Sequence, residues 1–445
     1  MTRFTAHSAR HLRICCAALA TCAVVGVPSS LVSAVAQDDA YGPVDDAPVQ
    51  ITAETPEAIP DPLAEAAQRA LDQSPVVLAR LAELAALEAD LKSTERLRYP
   101  NLTAEILATT GGSNVADADG LAVNLALEQP IWAGGAIGNQ IDAARGQRDV
   151  GATSVREARY NLLLAVIDAW YEALLSYERV RALDAGLVEY QRLVLSIERR
   201  VAQQVSPYAD LTLAQSRLTQ LEVQRMTAQE RGDAAMLRLT ELVGMEVPQP
   251  LLPDMDIAEG LPPEQIAVDE MMACSPALAR MRGEIDIAEA RARTARSNLF
   301  PQLLLQLSQN EITGARAALV LRAQTGNGLN LLTQVDSADA RVDAAVAQLG
   351  QTDREVRRLI RAEYVTLEAG QLRVEAGALA NQAASDLLAS YQRQFVAGRR
   401  SWLDVLNAAR EVTDAQVNES DARVLTAASA TRILAYTCRW RPVGV

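Results

Sequence analysis

Past residue 11 the 445-residue sequence contains no histidine; its only two are His7 and His11. A body without imidazole excludes Ser–His–Asp triads, H-E-x-x-H zinc sites and most proton shuttles. No other nucleophile motif stands out, so an enzyme is the least expected class, and no cofactor or bound metal is expected. Aromatic residues make up 4% of the chain, while alanine, leucine, arginine and glutamine are abundant. That is the composition of long, thin helices packed by small side chains rather than of a thick globular core. Beyond the N-terminal segment no apolar run reaches the ~20 residues a transmembrane helix needs. A chain of this kind can enter a bilayer only as a β-barrel. Basic residues are outnumbered, 42 to 56, giving a formal charge of −14. Such acidity argues against nucleic acid as a partner.

The N-terminus has its own character. Arg3, Arg10 and Arg13 precede an apolar run from Ile14 to Val27, and Ala34-Val35-Ala36 follows. This reads as a secretory signal, residues 1–36, cut after Ala36. A transmembrane anchor, or a lipoprotein box at Leu19-Ala20-Thr21-Cys22, is the alternative. Cleavage removes both histidines, three cysteines and three arginines but no acids, so 39 basic and 56 acidic residues remain, net −17. Cys274 and Cys438 stay. An oxidising compartment permits a disulfide between them; two unpaired small hydrophobes are the other reading. Residues 37–60 are acidic and proline-rich, as in a disordered leader.

The remainder repeats itself. "DQSPVVLARLAELAALEADLKSTERLRYPNL" has a partner in "ACSPALARMRGEIDIAEARARTARSNLFPQL". Pro75 and Pro100 are 25 residues apart, as are Pro276 and Pro301. Ala169-Trp170-Tyr171 aligns with Ala362-Glu363-Tyr364. This is an internal duplication, with repeats at 61–244 and 264–445 joined by a proline-rich linker at 245–263, the two expected to intertwine as one domain. In each repeat a helix ends at an aromatic–proline pair and the apolar period then switches to 2. Leu102, Ala104 and Ile106 alternate with Asn101, Thr103 and Glu105; Leu303, Leu305 and Leu307 alternate with Gln302, Gln306 and Ser308. Each repeat thus holds one strand–loop–strand hairpin with one apolar face. A very long helix follows, about 136–204 and about 335–395, and a shorter one returns at about 207–242 and 401–436. At 1.5 Å per residue the long helices run ~90–100 Å and must pack as a coiled coil or bundle.

Four strands cannot close a barrel, and open edges cannot sit in lipid. Three chains of four strands would close a twelve-stranded barrel, continued by the helices as a tube. Glu105, Asn124, Gln306 and Arg322 would line water, and the leucine faces would meet lipid. A small extracellular sheet capping a soluble coiled coil is the competing architecture.

The duplicated plan, "EQPIWAGGAIGNQIDAARG" and "YQRQFVAGRRSWLDVLNAARE" together resemble the TolC family of trimeric outer-membrane channel-tunnels. The resemblance runs from about Asp61 to Cys438. It implies a mainly α fold with a small β part: a homotrimeric outer-membrane β-barrel continued by a long α-helical periplasmic tunnel. It implies work with a periplasmic adaptor and an inner-membrane ABC transporter or proton-driven pump. "GRRSWLDVLNA" is most similar to members serving type I secretion of large adhesins. The implied function is a passive exit duct for protein. The alternatives are the outer-membrane part of a multidrug or small-molecule efflux pump and, from another class, a soluble periplasmic coiled-coil adaptor.

The resemblance also assigns residues at the two helix–turn–helix tips. Asp404 falls at the first carboxylate ring of the periplasmic entrance, and Asn407 replaces an acid at the second. Arg400 falls at an entrance latch, with Asp210 as an acidic latch partner. Phe395 stands where a latch tyrosine is common. Read locally, the same residues cap helices. Gly398 and Arg399 end one helix, and Ser401 with Asp404 forms a capping box for the next. Ser206 and Pro207 read as N-cap and first residue of the returning helix.

Overall fold

A computed structural model describes residues 56, 59–109, 120–252, 257–310, 314–323 and 326–442. The expected signal and nearly all of the acidic leader lie outside the described residues.

Two short helices, α1 (Asp61–Gln73) and α2 (Pro75–Glu95), open the described chain. They break at Ser74, because Pro75 cannot continue α1 but suits the first position of α2. Strands β1 (Asn101–Thr109) and β2 (Gly120–Trp132) follow, then α3 (Ala136–Ala202) and α4 (Tyr208–Val243). The same order then recurs: α5 (Glu264–Cys274), α6 (Pro276–Ser297), β3 (Gln302–Asn310), β4 (Gly314–Arg322), α7 (Asn330–Val396) and α8 (Trp402–Tyr436). Helices α3 and α7 each have 67 residues, about 100 Å of helix. Helix α7 begins five residues before the expected start at Val335. Its first turn has no buried side chain to carry a periodic signal; Leu332 there is exposed.

The strands form one antiparallel sheet in the order β1-β2-β3-β4. Its register puts Leu102 opposite Leu127 and Leu127 opposite Leu307, with Leu305 opposite Leu319. Leu102, Ile106, Leu319 and Leu321 are all about two-thirds exposed, at 66–71%. On the other face Glu105 lies opposite Asn124, and Glu128 opposite Gln306. Gln306 Nε2 donates to Glu128 at 2.8 Å, and the Arg322 guanidinium reaches the same carboxylate at 3.3 Å. The sheet therefore has a polar face on which Glu128, Gln306 and Arg322 pair, and an exposed leucine face. Its register slips between Pro130 and Trp132, a bulge suited to a proline that has no N–H to offer a ladder.

Helix α3 is the centre of the helical part. It packs against α2, α4, α6 and α8, while α7 packs against α6 and α8. The contacts are close where glycine permits it. A Cβ on Gly186 would lie 2.5 Å from Thr413, and one on Gly370 would lie 2.4 Å from Thr426. The largest core joins Leu63, Trp170, Tyr171, Val268, Ile360, Val424 and Trp440. Trp170 and Tyr171 are thus packing residues. Tyr171 Oη shares a 2.7 Å hydrogen bond with Thr431 Oγ1, and burial pushes its pKa up to about 12. Arg432 on α8 ties three helices, binding Glu363 of α7 at 2.9 Å and Asp168 of α3 at 3.3 Å. A disulfide joins Cys274, the last residue of α5, to Cys438, just past α8.

Candidate functional site

The two hairpin turns, between α3 and α4 and between α7 and α8, carry the residues singled out in the sequence. Both long helices end alike. In the second turn Gly398 is left-handed (φ 72°), and the Arg399 and Gly398 N–H groups donate to Gln394 O at 2.9 Å and Phe395 O at 3.0 Å. In the first, Gln204 takes the left-handed place (φ 60°), and Val205 N and Gln204 N donate to Arg200 O and Val201 O at 2.8 and 3.0 Å. Both are the paired bonds of a Schellman ending. Only the second has glycine at the left-handed position, where an L side chain costs ~1–2 kcal/mol. Gln204→Gly is therefore expected to stabilise the protein by about 1 kcal/mol, read as a raised denaturant midpoint. No change, or a loss, would show that the Gln204 side chain does something its backbone does not reveal.

The starts of α4 and α8 differ. At α8, Ser401 Oγ accepts from Asp404 N at 3.2 Å, and Asp404 Oδ2 accepts from Ser401 N at 3.2 Å and from Ser401 Oγ at 2.9 Å. This is the expected capping box. At α4 the expectation needs correction. Pro207 is the N-cap and Tyr208 the first helical residue, with no side-chain cap. Proline keeps an extended ψ of 153° there. Ser206, one residue further out, instead accepts from Arg200 Nε at 3.3 Å.

The latch residues are arranged differently from a simple Arg400–Asp210 pair. Arg400 lies 3.8 Å from Asp404 on its own tip, donates to Gln394 at 3.3 Å and stacks over Tyr391 at 4.3 Å. Both members of the Arg400–Asp404 pair are 40% exposed, so the pair contributes little, ~0–1 kcal/mol. Asp210 sits in the first turn of α4 and makes no ion pair among the described residues. Phe395 lies under the Arg200 guanidinium at 4.9 Å. That stack needs no hydroxyl, and it ties the end of α3 to the end of α7. Asn407 and Arg399 are exposed.

Sequence reasoning missed Arg200 and Tyr391 as parts of the tips. The signal was faint: Tyr391 and Phe395 are one helical turn apart, each placed for a cation. Above the tips, ion pairs pin the neighbours of α3. Arg179 grips Asp421 of α8 with two bonds, 2.7 and 2.8 Å, and Arg225 of α4 binds Asp184 at 2.7 Å. Among the described residues no cluster of acids, cysteines or histidines could hold a metal ion. Nor is any described helix long and apolar enough to cross a membrane.

The chain carries a four-stranded sheet with an exposed leucine face on helices of about 100 Å. Residues 66–245 match the family described as outer membrane efflux protein. It is 23% identical over 339 residues to the proteases secretion protein PrtF of Dickeya chrysanthemi, covering 69% of this chain and 71% of that one. It is 25% identical over 320 residues to the cobalt-zinc-cadmium resistance protein CzcC of Cupriavidus metallidurans, covering 68% and 74%. Its fold matches the outer membrane protein VceC of Vibrio cholerae with a TM-score of 0.72 at 18% identity, over 84% of this chain and 95% of that one.

Proposed function

We propose that three copies of this chain form a passive exit duct, a twelve-stranded barrel continued by a helical tunnel, which serves type I secretion of protein. An inner-membrane ABC transporter and a periplasmic adaptor would recruit it, and the duct itself performs no catalysis. The observation that carries the channel is the sheet. Its leucine face is exposed in the single chain while its opposite face is polar, with Glu128, Gln306 and Arg322 paired on it. A lipid-facing outside and a wet inside supply what each face lacks. Two edge strands of one four-stranded sheet can close only with other copies. Protein cargo, with a large adhesin as one candidate, is favoured by the "GRRSWLDVLNA" tip and the similarity to PrtF. The similarity to CzcC favours a second reading, efflux of metal ions or other small solutes.

The tips would form the periplasmic entrance, with Asp404 of three copies as its carboxylate ring and Arg400 and Phe395 within its latch. The test is single-channel conductance of the purified oligomer in a planar bilayer, wild type against Asp404→Asn, with a trivalent cation on the tip side. Block of the wild type and not of the variant supports the ring, because clustered carboxylates favour bound cations. Equal responses leave Asp404 as a helix cap alone, and a folded protein without conductance removes the duct. Deletion then separates the cargoes. Loss of a secreted or surface protein supports the first reading, and metal or drug sensitivity alone supports the second.

A further inference from the structure

The two edges of the sheet carry opposite charges on the face that pairs its polar groups. On that face β1 shows Asn101, Thr103 and Glu105, whose only charge is acidic. Strand β4 shows Gly314, Arg316, Ala318, Val320 and Arg322, whose only charges are basic. Glu105 is exposed and makes no ion pair among the described residues. Unpaired edges template the addition of another strand. A head-to-tail pairing, β4 of one copy on β1 of the next, matches unlike charges and closes a ring. Like edges on each other would repel.

The sheet also holds the register for that joint. Strands β1 and β3 both have nine residues and both directly follow a proline, Pro100 and Pro301. On this alignment Glu105 corresponds to Gln306. Asn101 lies opposite Glu128 and Gln302 opposite Arg322, so Glu128 corresponds to Arg322. Within the chain, Glu128 of the first hairpin lies directly opposite Gln306 of the second. A joint between copies repeats this meeting, with the second hairpin of one copy beside the first hairpin of the next. We propose that β4 and β1 pair between copies in the register of β2 and β3, which places Arg322 opposite Glu105 of the partner subunit as a seam ion pair. Arg322 already touches Glu128 at 3.3 Å; with five N–H donors it can hold both carboxylates. The inference rests on the oligomeric barrel proposed above and adds its register and the residues that enforce it.

The test uses the mature protein refolded or extracted in detergent. In Glu105→Cys/Arg322→Cys, oxidation should give covalent dimers and trimers on a non-reducing gel. Glu105→Cys/Ala318→Cys, on the same face but four residues out of register, should give none. Single reversals, Glu105→Arg or Arg322→Glu, should each cut the oligomer surviving in denaturing detergent about tenfold, since like charges directly opposite are destabilising at every seam. In a Glu128→Gln background, where residue 322 meets no acid of its own chain, the double reversal should restore it. Cross-linking only in the offset pair, or reversals that fail to rescue each other, overturns the register while the barrel stands. A wild type that forms no oligomer overturns both.

Discussion

Cys438→Ser is expected to lower stability by about 4 kcal/mol, and reduction of the wild type should do the same. The bridge spans 164 residues, and closing a loop of that length removes ~5 kcal/mol of unfolded-chain entropy on the chain-entropy model. The larger consequence is local. The bridge holds the end of α8 to α5 beside the main core, and it secures residues 437–442, among them the fully buried Trp440. Thr437 Oγ1 and the left-handed ending at Cys438 add only backbone bonds to α8 itself. Freed of the bridge, this end depends on Trp440 packing and on the Arg439–Glu270 pair at 2.8 Å, which is about a third exposed. Cys274→Ser should match Cys438→Ser, and the double variant should be no worse than either, because all three remove one bond. Denaturant midpoints with and without reductant check this. A wild type insensitive to reductant, with its thiols shown to be free, would mean that the helices alone hold the C-terminal end.

Much of the architecture was written in local patterns. The Pro75–Pro100 and Pro276–Pro301 spacings marked two equivalent helices, and the change of period after Pro100 and Pro301 marked β1 and β3. Ser401 and Asp404 announced their capping box because its partners are three residues apart. What escaped depends on which of several partners a side chain takes, near or far in the chain. Arg200 and Phe395 are separated by most of the second repeat, and no local pattern says that one stacks on the other. Arg400 has several acids within reach in principle, and only coordinates show it held by Asp404, Gln394 and Tyr391 of its own turn. The β2–β3 register, on which the seam argument depends, joins residues about 180 positions apart. The α4 start moved by one residue, with Ser206 in the turn bonded to Arg200 of α3 rather than to the helix end.

Leu372→Asp/Leu379→Asp should abolish the proposed trimer while leaving each chain folded. Helix α7 turns Leu367 and Gly370 towards its neighbours, where Gly370 lies against Thr426 of α8. Its other side carries Val365, Leu372 and Leu379 at 68%, 64% and 69% exposure, seven residues apart in each step. A heptad seam of this kind is built to meet another helix. The free edge at the opposite end of the helix row, α4, exposes Val223, Met226 and Leu237. The α7 edge of one copy against the α4 edge of the next would be the same head-to-tail contact proposed for β4 and β1. Burying each leucine contributes ~1.5–3 kcal/mol, so losing both at every joint removes ~3–6 kcal/mol per joint before the burial of new carboxylates is counted. The side chains are exposed in the single chain, so its own helices lose nothing. Light scattering should therefore show a monomer, circular dichroism should show unchanged helix, and bilayer conductance should vanish. Leu372→Met/Leu379→Met, which keeps the volume, should remain assembled. An intact trimer from the aspartate variant would place the joint on another face of α7; unfolding of the monomer would show that these leucines are buried within the chain after all.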